Sequence, residues 1–409
     1  MPNPRTVGEN VAYHRKRLNL SQVEFAGIIG KSESWVSQVE RGRRAIDRLS
    51  VLQSVADALN VTIAELQGAA EPDALPELER DAQAFELLRL ALTGHPAAAA
   101  VISPETVRAD PLPSLAVLRD DHAAIWPMVH ESRYSELTPA LTSLINNLER
   151  LRRQAGTAEA DEARRLLADT YQAVAAALAK LGEGDAAWVA ADRAAFLSES
   201  IGSPLALAAS LFRMAHVFLS LGLFAQVQKV AADASAAIEP QATRPDATPE
   251  ALSLYGAFHL VLAVAAAREN QRNEAHAFLD KAQEIASRVG EGRNDFGTEF
   301  SPTNVALHAV SVAVELGDAG QALDLSRQID ASQLSPERQA RYLIDLASAY
   351  AMRRQIGDAL KCLQESETLT PEQTRAHRVA REVTRDLLQL SGGHVRPELR
   401  ELATRFSLD

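Results

Sequence analysis

The chain has 409 residues, is 46% hydrophobic and 23% charged, and carries a formal charge of −12. That length predicts two or three domains at roughly 100–200 residues each, with the composition of an ordinary globular protein. A single cysteine, Cys362, excludes an intrachain disulfide and any zinc site built on several cysteines; it reads as a small core residue on an amphipathic helix, with a reactive thiol as the alternative.

No apolar run reads as long enough to span a bilayer, which takes about 20 residues. The opening MPNPRTVGEN lacks the apolar core of a signal peptide, so the expected compartment is the cytoplasm, with no membrane partner. Residues 1–48 hold nine Lys/Arg against five Asp/Glu, a net +4 that leaves −16 on the rest. A basic end on an acidic body predicts that only the end meets a polyanion.

Five short helices are expected in residues 1–68. The first, about 6–18, carries Val7, Val11 and Leu18 inward, with Arg15, Lys16 and Arg17 near its end, where cations oppose the helix dipole. The second opens on SQVE, a capping box from Ser21 to Glu24, and ends at Gly30. The third runs from about Ser32 to Gly42; Trp35, Val36 and Val39 form one stripe, and Glu33, Ser34, Ser37, Gln38 and Arg41 the opposite face. A fourth spans about 47–59. A fifth, TIAEL, starts on a second capping box from Thr62 to Glu65.

Two helices of about nine residues around a tight glycine turn match helix-turn-helix geometry. The segment LSQVEFAGIIGKSESWVSQVERGRR resembles the XRE/Cro/C1-type DNA-binding domain: a Ser-Gln start, a Gly turn, and a third helix ending Glu-Arg-Gly. The resemblance implies a five-helix lambda-repressor-like domain over residues 1–68 whose third helix enters the major groove of double-stranded DNA. Gln38 then suits an adenine edge and Glu33 a cytosine amino group. Ser34 and Ser37 can bond bases or phosphates. Gln22 is expected on a phosphate, and Lys31, Arg41, Arg43 and Arg44 supply salt-sensitive phosphate contacts.

Residues 69–78 read as a linker, and residues 79–409 as a second, all-α domain. Its clearest punctuation is a hydroxyl residue followed by proline, an N-cap and first helical position. Pro204, Pro249, Pro302, Pro336 and Pro371 step by 45, 53, 34 and 35 residues; the last two match the tetratricopeptide period of about 34. Small residues Ala187, Val227, Ala275, Ala322 and Ala359 follow the expected hairpin turns. The body thus resembles a tetratricopeptide-like α-solenoid of six hairpins, the first at about 113–154, with terminal capping helices at 372–390 and 395–406.

Stacked hairpins leave a concave face lined by the first helix of each pair. The polar residues expected there are Asp169 and Gln172; Arg213, His216 and Ser220; Asn304, His308 and Ser311; and Arg341, Asp345 and Ser348. Each alone also suits a solvated face; as a set they predict a ligand groove. The link 290–303, with exposed-looking Phe296 and Phe300, reads either as a lid over that groove or as a tolerated insertion.

No catalytic constellation is legible. The ten histidines make no H-x-x-x-H pair, and no phosphate loop or nucleophile-base arrangement appears; no enzyme activity, cofactor or metal is expected. The combined architecture resembles cytoplasmic, notably actinobacterial, regulators that join an XRE-type reader to a tetratricopeptide sensor. That implies a homodimeric regulator on a palindromic operator, answering to a small signalling molecule or peptide. Two other readings stay open: a solenoid that docks a protein, with DNA binding only placing it, and an antitoxin-like or phage-type repressor without a ligand.

Overall fold

The computed structural model describes residues 7–18, 20–44, 46, 49–59, 61, 66, 88–92, 112–154, 156–392 and 395–408. Among them every regular element is helical. The second capping box at 62–65 and the linker at 69–78 lie outside the described residues.

The N-terminal unit holds α1 (Val7–Arg17), α2 (Gln22–Ile28), α3 (Glu33–Glu40) and α4 (Leu49–Leu59). Val11, Phe25, Val36, Val39, Val55 and Leu59 close a small core, to which Leu66 is added. The Ser21–Glu24 capping box is formed at 3.1 and 2.8 Å, and Ser32 caps α3 by accepting from the Trp35 amide at 3.2 Å.

The rest is a stack of helical hairpins. A three-helix start, α5 (Leu115–Ala123), α6 (Ile125–His130) and α7 (Tyr134–Gln154), leads into paired helices. The pairs are α8 (Thr157–Lys180) with α9 (Gly184–Ile201), α10 (Pro204–Ser220) with α11 (Phe224–Ala242), and α12 (Pro249–Arg268) with α13 (Arg272–Val289). Then come α14 (Pro302–Glu315) with α15 (Ala319–Ser326), and α16 (Pro336–Met352) with α17 (Ile356–Leu369). The chain ends in α18 (Pro371–Ala376), α19 (Arg378–Ser391) and α20 (Pro397–Arg405). A single capping helix over 372–390 was the expectation; instead it breaks at His377, whose extended backbone (ψ 119°) separates α18 from α19.

Two local rules build the stack. Ser203, Thr248, Ser301 and Ser335 each accept a hydrogen bond from the third amide of the helix they start, with Pro at the first position. Each turn within a pair places one residue in the left-handed region: Gly182, Gly222, Asn270, Gly317 and Arg354. The small residues after those turns, Ala187, Val227, Ala275, Ala322 and Ala359, are all fully buried, so the paired helices approach closely there.

Helix α12 corrects one expectation. By length and composition it could cross a membrane, yet 89% of its apolar window is buried inside the protein. It is apolar on all sides because neighbouring helices cover all of them.

The stack curves until its two ends meet. Ser132 Oγ and Tyr134 Oη both donate to Gln373 Oε1, at 2.6 and 2.9 Å. Lys180 Nζ lies 3.2 Å from Glu337, and α6 packs on α16. The repeats therefore close into a ring around the concave face, which forms a partly open cavity.

Candidate DNA reader and enclosed groove

In the N-terminal unit, α1 packs across α3 and α2 leads into it. Val36 and Val39 face the core, and Trp35 lies half-buried at its edge with the Lys31 ammonium 5.9 Å from its ring. Lys31, Glu33, Ser34, Gln38, Arg41, Arg43 and Arg44 are exposed, and Ser37 is half-buried. Gln22 is half-buried and donates to Glu40 Oε2 at 2.7 Å, so in this structure it ties the start of α2 to the end of α3.

Glu40 also forms a two-point ion pair with Arg15, at 2.5 and 2.9 Å, and Arg15 reaches the Leu20 carbonyl. Charge counting had grouped Arg15 with the helix-terminal cations. Its burial follows from a partner 25 residues away, which local sequence does not mark.

The groove is a cavity of about 210 Å3. Of the residues expected there, Arg213, His216, Ser220, Asn304, His308, Ser311, Arg341 and Asp345 line it. Asp169, Gln172 and Ser348 do not. Asp169 is held aside by the Trp126 indole at 2.8 Å and by His122 at 2.9 Å. Gln172 is buried in helix packing, and the Ser348 hydroxyl turns back to the Ile344 carbonyl at 3.1 Å.

The lining also includes Trp126, Lys180, Arg268, Glu337, Arg338 and Arg378, which the sequence reading missed. Lys180 sits two turns beyond Gln172, so extending that stripe would have found it. Arg268 ends the uniformly apolar α12, where no polar stripe could be followed. Arg338 and Arg378 depend on ring closure.

The 290–303 link was expected to expose two phenylalanines. Instead Phe300 is 1% exposed, its ring lying on Gly256 of α12 so closely that a Cβ there would meet it at 2.0 Å. Phe296 is half-buried against the same core. A short 3-10 turn, Asp295–Gly297, reaches over the groove, and the Phe296 carbonyl accepts from Arg213 at 2.5 Å.

Electrostatics inside follow burial. Desolvation, helped by Arg213 and Arg338, pushes His216 well below the usual histidine range. Desolvation also lowers His308 to about 4; its Nδ1 donates to the Asn304 carbonyl at 2.8 Å. His377 is likewise driven down by burial and by Arg341. Burial opposes ionisation of Glu337, but Lys180, Arg338 and Arg341 outweigh it and hold the carboxyl below its usual range. Asp345 goes the other way: burial raises it to about 6, and Arg341 offsets only part of this.

Four buried polar atoms of the lining make no hydrogen bond within the protein, Arg213 Nε, Asn304 Oδ1, Arg338 Nε and His377 Nδ1, although Arg338 Nε has the Glu299 and Glu337 carboxylates at 3.5 and 3.7 Å. Buried polar atoms are normally satisfied, so four in one cavity need an explanation. Cys362 is buried, and desolvation lifts its thiol to about 12, which makes it a poor nucleophile. Among the described residues no group of three His, Cys, Asp or Glu could hold a metal.

The reader touches the wall of the groove. Arg17 of α1 lies between Glu382 (2.7 Å) and Asp386 (3.3 Å) of α19, and α1 packs on α16. Glu382 in turn accepts from Arg378 at 3.0 Å, and Arg378 lines the groove. Burial opposes the charge on Glu382, yet Arg17 and Arg378 together hold its pKa down at about 2.

Residues 7–68 match the helix-turn-helix domain family. The chain therefore carries an N-terminal helix-turn-helix DNA-binding domain, followed by a long helical repeat-like region. No curated protein matches the chain. Among solved structures, the crystal structure of BtubC (BKLC) from P. vanneervenii is similar at 16% identity and a TM-score of 0.32. That likeness covers 68% of this chain and 94% of the other.

Proposed function

We propose that the protein is a sequence-specific transcriptional regulator of the XRE type whose tetratricopeptide-like groove takes up a small molecule or one end of a short peptide. The observation that carries this reading is the ring-closed groove lined by six cations, one of which, the buried Arg213, has no carboxylate partner among the described residues. A small charged ligand suits a cavity of about 210 Å3 walled by those cations. Six cations along the groove wall suit a small charged ligand better than the apolar face of a docked protein, which makes the adaptor reading the weaker one. We take the protein to be cytoplasmic and non-enzymatic, and to act as a homodimer, because one helix-turn-helix reads only half of a palindromic site.

The route from groove to reader runs through α16 and α19. Both wall the cavity, and both contact α1. Repositioning Arg378 alters the partner of Glu382 and so the seat of Arg17. Coupling of this kind typically amounts to about 5–150-fold in affinity.

The test is fluorescence anisotropy with a DNA site selected from a random pool by the wild-type protein. Adding small-molecule extract of the host culture should change affinity at least fivefold in the wild type. Arg17→Ala should still bind DNA but answer less to the extract. Indifference of the wild type to extract, together with no retained small molecule in native mass spectrometry, would sink the sensor reading.

A further inference from the structure

The groove's charge runs against the charge of the chain. In a protein of net charge −12, six cations line the cavity against two carboxylates, Glu337 and Asp345. Most of the six have carboxylate partners: Lys180 with Glu337, Arg338 with Glu299 and Glu337, Arg268 with Glu315, Arg378 with Glu382. Arg341 reaches Asp345 at 4.0 Å. Arg213 differs: among the described residues no carboxylate lies within ion-pair distance of it.

Arg213 is nonetheless 6% exposed. Its guanidinium lies 4.6 Å from the Trp126 ring centroid and 5.1 Å from that of Phe212. Its one hydrogen bond runs to the Phe296 carbonyl, and its Nε has no partner. A guanidinium has five N–H donors in a fork that fits a two-oxygen anion, and burying it unpaired is costly. Burial, with Arg338 adding to it, lowers the Arg213 pKa to about 10 against the opposing pull of Asp169, Glu337 and Glu299, none of which is within ion-pair distance.

The carbonyl now serving Arg213 belongs to a strained turn. Phe296 and Glu299 hold φ values of 51° and 49°, in the left-handed region. Side-chain bonds hold the turn there: Ser253 to Asp295 at 2.8 Å, and Asn294 to His130 at 3.0 Å. A neutral carbonyl leaves the charge of a buried guanidinium uncompensated, whereas a carboxylate or phosphate neutralises it and can accept from two of its N–H groups at once. In the same cavity, Val261, Val264 and Leu307 supply apolar wall. About 210 Å3 exceeds the ~150 Å3 of an engineered cavity that takes up benzene.

Resting on the sensor reading above, we infer that the groove's ligand is an organic oxyanion with an apolar body. Its carboxylate or phosphate replaces the Phe296 carbonyl on Arg213, and its apolar part packs along Val261, Val264 and Leu307. The 295–297 turn is released when the anion arrives. The lid reading of the link thereby gains a mechanism: the closed state is one in which the chain's own carbonyl occupies the anion position.

Four probes test this on the full chain by isothermal titration calorimetry: octanoate, octanamide, octyl phosphate and inorganic phosphate. Octanoate or octyl phosphate should bind, and whichever is tighter identifies the head group. The neutral amide should bind at least tenfold more weakly than octanoate. Arg213→Met should lose at least tenfold for the bound acid while its thermal midpoint without ligand stays level or rises, since an unpaired buried charge is removed. A fall in that midpoint would count against Arg213 being uncompensated. The proposal is overturned if amide and acid bind equally, if Arg213→Met binds like wild type, or if no probe binds. It also fails if inorganic phosphate binds as tightly as octyl phosphate, which marks a structural anion site. Should host extract still alter DNA affinity in these cases, only the anion class fails and the sensor reading survives.

Discussion

The reader and the groove put polar side chains to opposite uses. On α3 the polar face is exposed and held by no one: Glu33, Ser34 and Gln38 look outward, and the only bond among them is a 3.5 Å contact from Gln38 to Ser34. In the groove the polar groups are buried and crowded, and several make no hydrogen bond within the protein. The first arrangement costs little to maintain and waits for a large polyanion. The second costs stability until something fills it. Stability and recognition are therefore separable in the reader and entangled in the groove.

The largest test of that contrast is Phe300→Ala. Phe300 locks the 290–303 link onto α12, so its truncation should cost about 3–5 kcal/mol in denaturant unfolding. Because the loss falls on the groove side, DNA affinity of the folded variant should stay within twofold of wild type. A variant that loses DNA binding while folded would break the comparison.

Glu40→Gln probes the other side. It leaves Arg15 buried without its charge partner, a change that costs about 3 kcal/mol where pairs are well covered, and both side chains here are at most 10% exposed. Hydrogen exchange should rise across residues 7–59 and remain unchanged across 157–289. Gln38→Ala combined with Arg43→Ala should be smaller in structural terms and selective in function. Thermal stability should hold, while affinity for the selected DNA site drops about 100-fold, from one base contact and one phosphate contact. Equal binding by the double variant and the wild type would remove α3 from the interface.

How much was legible in advance follows the same division. The reader was legible because its signals are local: a capping box within four residues, a glycine turn, a stripe at helical spacing. The hairpins were legible from Ser/Thr-Pro starts and small residues at the turns. What stayed hidden depends on distance in sequence. Arg15 needs Glu40; Arg213 needs a carbonyl 83 residues on; Arg338 and Arg378 join the groove only because Gln373 ties the last repeats to Ser132 and Tyr134. Phe300 looked exposed because its link is rich in glycine and polar residues, and only the bare backbone of Gly256 explains where the ring goes. Asp169 and Gln172 obeyed the concave periodicity, yet local partners and packing drew them out of the cavity.

The smallest expected effect concerns pH, and it tests whether groove polarity is held at a cost to stability. Asp345 has a folded pKa raised to about 6 by burial, with Glu315 adding to the rise and Arg341 and Arg268 opposing it. In the unfolded chain the carboxyl has its ordinary value of 3.8. Between those values the folded protein binds more protons than the unfolded chain. Its contribution to stability is therefore full below pH 3.8 and is lost as pH rises through about 6. Asp386, raised to about 6 by burial against the opposing pull of Arg17, acts in the same sense, whereas Glu382 and Glu337 act oppositely and only at lower pH. Asp345→Asn cannot ionise, so its stability relative to wild type should improve by about 1–2 kcal/mol between pH 5 and pH 7. Paired urea titrations at the two pH values measure this directly. If wild type and variant change in parallel, Asp345 is already ionised in the folded protein and its pairing with Arg341 is tighter than the 4.0 Å separation implies.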